Sequence, residues 1–188
     1  MRTALHLPIA LLILAAAPLM AQRPVVQPSP PPSGRALLAE AERLERAGDA
    51  RASEAVDRAL LQLTAPADVP LRLRALGMQC WGRAGVVEPD SLVALASRGI
   101  AEAERAGDAR ELANLRACRG YGLENAGRVN EAAADYEAAV TEGRRLRDDR
   151  LMAAGLMFRG ELRYYRGDMG GALADLTESH ELYKRLGE

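Results

Sequence analysis

The chain repeats itself every 40 residues, and this period constrains its fold more than any other feature. Four segments lie one period apart at predicted helix ends: 65–68, 105–108, 145–148 and 185–188. Three positions of the period recur inside the helices: Ala52, Leu92, Ala132 and Ala172; Val56, Ala96, Tyr136 and Leu176; and Ala59, Gly99, Ala139 and Ser179. These sets lie at i, i+4 and i+7 of a helix, and mostly small side chains in the first and third sets allow close helix packing. Such a period predicts stacked helical units.

The apolar spacing is helical from residue 35 to the end of the chain. It predicts four helix pairs, at 34–47 with 51–64, 69–84 with 90–106, 109–126 with 129–147, and 149–166 with 169–186. Gly48, Gly127 and Gly167 stand at the joins, where helices commonly end in a left-handed residue. The composition agrees, because the 48% of apolar residues are mostly the strong helix formers Ala and Leu. We therefore predict an all-α fold.

The N-terminus has the plan of a secretory signal peptide. Arg2 gives a positive start, an apolar run covers 7–17, and Ala21 is the small residue at the expected cleavage point. A membrane anchor would need about 20 apolar residues, and prolines interrupt this shorter run. We predict a signal peptide at 1–21 and an exported protein, in the periplasm of a Gram-negative bacterium. The mature chain then has no membrane span.

The segment after the predicted cleavage point is rich in proline. Residues 22–34 contain five prolines, a density that excludes helix and favours an extended, solvated tether. We predict a disordered linker at 22–34, followed by one folded region at 35–188.

The third and fourth units resemble a tetratricopeptide repeat. The family's spacing is present in Gly120, Leu123, Gly127, Ala132, Tyr136 and Ala139, and again in Gly160, Gly167, Ala172 and Leu176, with Ser179 in place of the last Ala. The period is similar to the lengthened form common in bacterial signalling proteins. Arg119 and Arg159 depart from the pattern, since an apolar residue is usual before the Gly. The resemblance implies a right-handed solenoid, an α-α superhelix of about four units at 35–68, 69–108, 109–148 and 149–188.

In tetratricopeptide arrays, the first helices line a concave groove that receives a peptide or a partner helix. The resemblance implies a partner-binding groove lined by Arg74, Met78, Trp81, Asn114, Tyr121, Asn125, Glu161 and Tyr164. Aromatic and Arg residues are favoured at recognition surfaces. For Trp81 and Tyr121 the sequence leaves groove and core open, whereas the spacing of Phe158 and Tyr165 predicts that both fill the core.

The sequence predicts no catalytic site, cofactor or metal. His180 is the only His after the predicted cleavage point, and one His with two separated Cys does not supply a metal site or a nucleophilic triad. With 25 basic and 26 acidic residues, the chain has no electrostatic footprint for nucleic acid. Cys80 and Cys118 lie on neighbouring first helices, where an oxidising compartment permits a disulfide. Their positions in the period differ by two, so we expect buried free thiols.

Two functions fit these features. The first is an exported, non-catalytic scaffold that binds a protein or peptide segment. The second is the periplasmic sensory portion of a truncated membrane-bound signalling protein, since 159–168 looks similar to the periplasmic repeat region of bacterial GGDEF diguanylate cyclases. We also expect self-association through the last repeat, whose face lacks a polar cap and is left partly open by Leu173, Leu176, Leu182 and Leu186.

Overall fold

The computed structural model describes residues 31–188, and all the regular structure in that range is helical. The predicted signal peptide and most of the predicted linker lie outside the described residues. Eight α-helices follow one another: α1 (Gly34–Arg46), α2 (Ala52–Gln62), α3 (Val69–Arg83), α4 (Pro89–Ala106), α5 (Ala109–Asn125), α6 (Val129–Leu146), α7 (Asp149–Tyr165) and α8 (Met169–Leu186). The predicted helix ends agree with these bounds to within two residues.

The helices pack as sequential pairs. Each helix contacts the next one along the chain, and the first helices of the pairs also contact one another in the order α1, α3, α5, α7. Glycine makes the close contacts possible: a Cβ at Gly120 would lie 2.6 Å from the Tyr136 ring, and one at Gly160 would lie 2.8 Å from Leu176. These two contacts are equivalent positions of the period. They show that glycine on the first helix lets the two helices of a pair approach closely.

Aspartates begin three of the helices. The carboxylates of Asp108, Asp148 and Asp168 each accept a hydrogen bond from the backbone N–H three residues further on, at 2.9–3.0 Å. This bond satisfies one of the N–H groups that the first turn of a helix leaves unpaired. The caps fix where α5, α7 and α8 start.

Left-handed residues end most of the helices. The joining glycines Gly48, Gly127 and Gly167 all have positive φ, as the sequence predicted. Gly107 and Gly187 take the same conformation at the ends of α4 and α8. At the equivalent position after α6, Arg147 has φ 54°, which makes it the single non-glycine residue with positive φ among residues 31–188.

Two ion pairs, of which that of Arg159 is buried, explain the arginines that depart from the family pattern. Arg119 binds Asp135 through two hydrogen bonds of 2.7 Å. Forty residues later Arg159 binds Asp175 in the same way, at 2.8 and 2.7 Å, and the hydrogen bond to Asp175 raises the pKa of Arg159. Each pair joins the first helix of a unit to the second. Two parallel N–H···O bonds also fix the geometry of the contact, which a single apolar contact does not.

Cys80 and Cys118 form a disulfide between α3 and α5, with a Cα separation of 6.3 Å. The expectation of free thiols was wrong, because it assumed that contacting residues occupy the same position of the period. Residues that face each other across two stacked equivalent helices come from opposite sides of the helix, so their positions must differ. The disulfide is compatible with an oxidising extracellular or periplasmic compartment.

Removal of the disulfide should destabilise the fold strongly. The bond closes a loop across a sequence separation of 38 residues, and chain entropy assigns about 4 kcal/mol to a loop of this size. We expect the Cys80→Ala, Cys118→Ala double variant to lose about 4 kcal/mol of unfolding free energy in urea denaturation. A reducing agent should lower the stability of the wild type and leave that of the double variant unchanged. Equal stability of the two proteins would contradict the prediction.

Replacing Arg147 by glycine should stabilise the protein. The side chain is exposed, and a left-handed non-glycine residue costs about 1–2 kcal/mol, of which the added chain entropy of glycine offsets part. We expect Arg147→Gly to raise the free energy of unfolding by about 0.5–1 kcal/mol. The matched control is Arg166→Gly, because Arg166 is exposed at a helix end but has φ −87°. The control should lose unfolding free energy. A gain of unfolding free energy in both variants would show that the left-handed conformation of Arg147 is not the cause.

Candidate binding groove on the first helices

A cavity of about 370 Å³ lies along the first helices of the four pairs. Its lining includes Glu45 from α1, and the largest contributions come from α3, α5 and α7. Apolar side chains form one part of the wall: Met78, Trp81, Leu151, Met157 and Phe158. The other part is charged or polar, and it includes Arg74, Arg110, Asn114 and Arg150. A concave site with apolar walls and few polar groups is the usual form of a ligand pocket.

Phe158 is the centre of an aromatic cluster at this cavity. Its ring stacks on Trp81 at a centroid distance of 5.2 Å and on Tyr136 at 5.5 Å. Tyr121 meets the same ring edge-on at 6.0 Å. Phe158 belongs to α7 and Trp81 to α3, so the stacked pair joins the fourth unit to the second. The cluster therefore fixes the positions of side chains from three successive first helices.

Trp81 packs against the core and also lines the cavity. Its ring packs against the buried cluster that includes Cys80 and Leu115, and it also lines the cavity. The two alternatives that the sequence left open are thus both realised for this residue. Phe158 has the same double position, since it packs on the cluster around Tyr136 and lines the cavity.

A chain of hydrogen bonds holds the Trp81 indole in place. The indole Nε1–H donates to Asn114 Oδ1 at 2.9 Å, and Asn114 Nδ2 donates to Glu111 Oε2 at 3.0 Å. The buried Glu111 also accepts from Arg110, which donates in turn to Asp148 at 2.6 Å. The hydrogen bond to Asp148 raises the pKa of Arg110. The network satisfies the polar edge of the indole, and so holds the ring where it stacks on Phe158 and lines the cavity.

The structure divides the residues predicted for the groove into three groups. Four line the main cavity: Arg74, Met78, Trp81 and Asn114. Tyr121 and Asn125 instead line a separate cavity of about 290 Å³, beside the join between α3 and α4. Glu161 and Tyr164 are exposed and line neither cavity.

Several residues that line the cavity were not predicted from the sequence. Arg110 and Arg150 lie one period apart on α5 and α7, and this recurrence of an arginine is visible in the sequence. The period also relates Ala154 to Asn114, which was predicted for the groove, and Met157 to Ala117, which lines the cavity as well.

Two neighbouring carboxyl groups, Glu124 of α5 and Glu161 of α7, lie outside this cavity. Tyr136 donates its hydroxyl hydrogen to Glu124 at 2.8 Å, and burial raises the pKa of Tyr136. Burial and the charge of Glu124 raise the pKa of Glu161. Within residues 31–188, no group of three or more His, Cys, Asp or Glu side chains is arranged to hold a metal ion.

Two predictions about the last repeat were wrong. Tyr165 was expected in the core, but 76% of it is exposed. Its equivalent Gly85 faces Tyr121 of the next unit, whereas no helix among residues 31–188 covers Tyr165 in this way. Leu182 was expected on the open face, but it is buried in the cluster formed with Val140 and Leu156. Leu173, Leu176 and Leu186 are exposed, as is His180.

Comparison with models of known protein families gave no match, and no curated protein matches the chain. The similarities to tetratricopeptide repeats and to diguanylate cyclases therefore stay predictions from the residues. Among the described residues, no helix is long and apolar enough to cross a membrane.

Replacing Phe158 by leucine should loosen the aromatic cluster without unfolding the protein. The change removes the stacking on Trp81 and Tyr136, and we expect a loss of about 2 kcal/mol in unfolding free energy. Trp81 is the single Trp of the chain, so its fluorescence reports this site alone, and its emission should move to longer wavelength. Tyr164→Leu is the control, since Tyr164 is exposed and outside the cavity. A stable variant with unchanged emission would contradict the role of Phe158.

Proposed function

We propose that the chain is an exported, non-catalytic scaffold that binds a peptide or protein segment in the cavity on its first helices. One observation carries the proposal: the cavity of about 370 Å³ has walls of Trp81, Phe158 and two methionines beside charged side chains. Aromatic and Arg residues dominate the binding energy of many protein interfaces. The flexible thioether chain of methionine adapts to different apolar partners.

The arrangement of the repeats supports a tetratricopeptide-like solenoid. The first helices contact one another in sequence, and their close contacts recur at a spacing of 40 residues. In a right-handed solenoid of this type, the first helices form the concave side. The cavity lies along these helices, so a segment bound there would contact several repeats at once.

The charges around the cavity suggest how such a segment is recognised. Arg74 pairs with Glu42 at 2.8 Å and Arg110 with Asp148 at 2.6 Å, while Arg150 pairs with Glu188. Each arginine is at least half exposed, so the free energy of each pair is small and a ligand's carbonyl or carboxyl group can replace the partner. The apolar wall would hold an apolar side chain of the same segment.

Two independent features support the compartment that we propose. The sequence predicts a signal peptide at 1–21, and Cys80 is bonded to Cys118. Disulfides persist in secreted and periplasmic proteins and are rare in the cytosol of mesophiles. Both features support export, and we propose the periplasm as the destination.

Filling the cavity should weaken binding. Peptides selected from a displayed random library on the immobilised chain would be titrated in solution, with Trp81 fluorescence as the signal. We expect Ala154→Phe, which places a ring in the cavity without adding a second Trp, to weaken binding by at least about tenfold, equivalent to 1.4 kcal/mol. Ala154 is only partly buried, so the fold should tolerate the change, which circular dichroism would check.

The matched control is Ala101→Phe, which adds the same ring to an exposed position of α4 away from the cavity. It should bind the selected peptides as the wild type does. Equal affinity of both variants and the wild type would contradict the proposed groove. Failure to select any peptide that changes Trp81 fluorescence would contradict it as well.

A further inference from the structure

We propose that Met78 and Met157 form a reversible modification site, at which a peroxide converts the apolar wall of the main cavity to a polar one and so weakens ligand binding. Both methionines line the cavity of about 370 Å³, and the side chain of each is partly exposed. The inference rests on the proposed function, because it concerns the affinity of the same cavity for its ligand.

The state of the other sulfur atoms directs a peroxide to the methionines. The two cysteines of the chain are bonded to each other and fully buried, so the folded protein offers no thiol to an oxidant. Hydrogen peroxide instead transfers one oxygen atom to a methionine thioether. The O–O bond breaks and an S=O bond forms; the sulfur gives up two electrons, and the second oxygen leaves as water.

The methionines at the cavity are not required by the packing of the repeat. One period before Met157 lies Ala117, which lines the same cavity. One period after Met78 lies Cys118, which forms the disulfide. Both positions therefore accept side chains of other sizes and chemistry in the neighbouring unit. The two thioethers are features of this cavity and not of the repeat.

Arginines of the cavity wall provide donors for the modified side chains. Arg74 precedes Met78 by four residues, which places the two side chains one turn apart on the same face of α3. Arg150 precedes Met157 by seven residues, two turns away on the same face of α7. Both arginines line the cavity and are at least half exposed, so their present ion pairs are weak. Their N–H groups can donate to a sulfoxide oxygen, and the fold can therefore retain the modified side chains.

The same modification opposes the binding of an apolar group. In the free protein, a sulfoxide at the wall keeps its hydrogen bonds to water or to an arginine. An apolar ligand side chain would cover that oxygen, and a polar group buried without a hydrogen bond is unfavourable. An arginine that donates to a sulfoxide is also less available to a carbonyl or carboxyl group of the ligand. Oxidation therefore lowers the affinity of the cavity more than it lowers the stability of the fold.

The modification can be reversed. Methionine sulfoxide reductases return the sulfoxide to the thioether, with one enzyme for each of the two sulfoxide epimers. A dithiol supplies the two electrons and becomes a disulfide, and the oxygen leaves as water. Reversal distinguishes sulfoxide formation from general oxidative damage.

Oxidation of the purified mature chain with hydrogen peroxide tests the inference. Mass spectrometry of its proteolytic fragments should find sulfoxide at Met78 and Met157. Peptides selected on the unoxidised chain, titrated with Trp81 fluorescence as the signal, should bind the oxidised chain at least about tenfold more weakly, equivalent to 1.4 kcal/mol. The helical circular dichroism should be unchanged. Treatment with both reductases should restore the affinity, and unoxidised protein treated in the same way is the control.

Two variants locate the effect. In the double variant Met78→Leu, Met157→Leu, the ratio of affinities before and after peroxide treatment should be close to one. Each protein is compared with itself, so a change of affinity caused by the substitutions cancels. The matched control is Met169→Leu, because Met169 is 57% exposed and does not line the cavity. This control should keep the tenfold loss.

The outcomes separate this inference from the proposed function. Equal binding before and after sulfoxide has formed at both positions would overturn the inference and leave the groove intact. A loss of affinity that persists in the double variant, unfolding on oxidation, or a lack of sulfoxide at Met78 and Met157 would also overturn it. If no peptide binds even the unoxidised chain, the proposed groove fails, and the inference fails with it.

Discussion

The close approach of the two helices within each pair is the constraint on which the rest of the structure depends. At Gly120 and Gly160, no side chain larger than hydrogen fits unless the facing side chain shifts, because Tyr136 and Leu176 occupy the space. With the helices at this distance, Asp135 and Asp175 come within reach of Arg119 and Arg159. The apolar contact and the ion pair thus specify one relative position of the helices, and the same pair of contacts recurs one period later.

This constraint also explains which features the sequence could predict. The helix ends depend on local chemistry, such as the aspartate caps and the left-handed glycines, and the 40-residue period locates them from residue 34 onward. The positions that face the partner helix of the same pair also follow from the period. Contacts between different pairs do not, because they depend on how far one unit is rotated relative to the next. The disulfide from Cys80 to Cys118 and the stacking of Phe158 on Trp81 are contacts of this second kind.

The same distinction applies to the candidate site. Arg74, Met78, Trp81 and Asn114 were predicted from their positions on first helices, and they line the main cavity. Tyr121 follows Trp81 by one period, yet it meets Phe158 edge-on and lines the other cavity. A strictly regular array would have given equivalent residues equivalent surroundings. Phe158 makes the surroundings of Trp81 and Tyr121 different, because its large ring contacts both of them. The main cavity is lined by Trp81 and Phe158 but not by Tyr121.

The disulfide and the aromatic cluster act on the same part of the groove. Cys80 precedes Trp81, and Cys118 follows Ala117, so the covalent bond joins α3 to α5 directly beside two residues of the cavity wall. Phe158 then connects α7 to the same place through Trp81. Because Ala117 is small, α5 leaves room on the cavity side for rings from both neighbouring helices. A covalent bond therefore holds α5 to α3 beside the cavity, and a stacked pair holds α7 to α3. A ligand bound there, as we propose, would not have to order loose helices, so that entropic cost of binding would be absent.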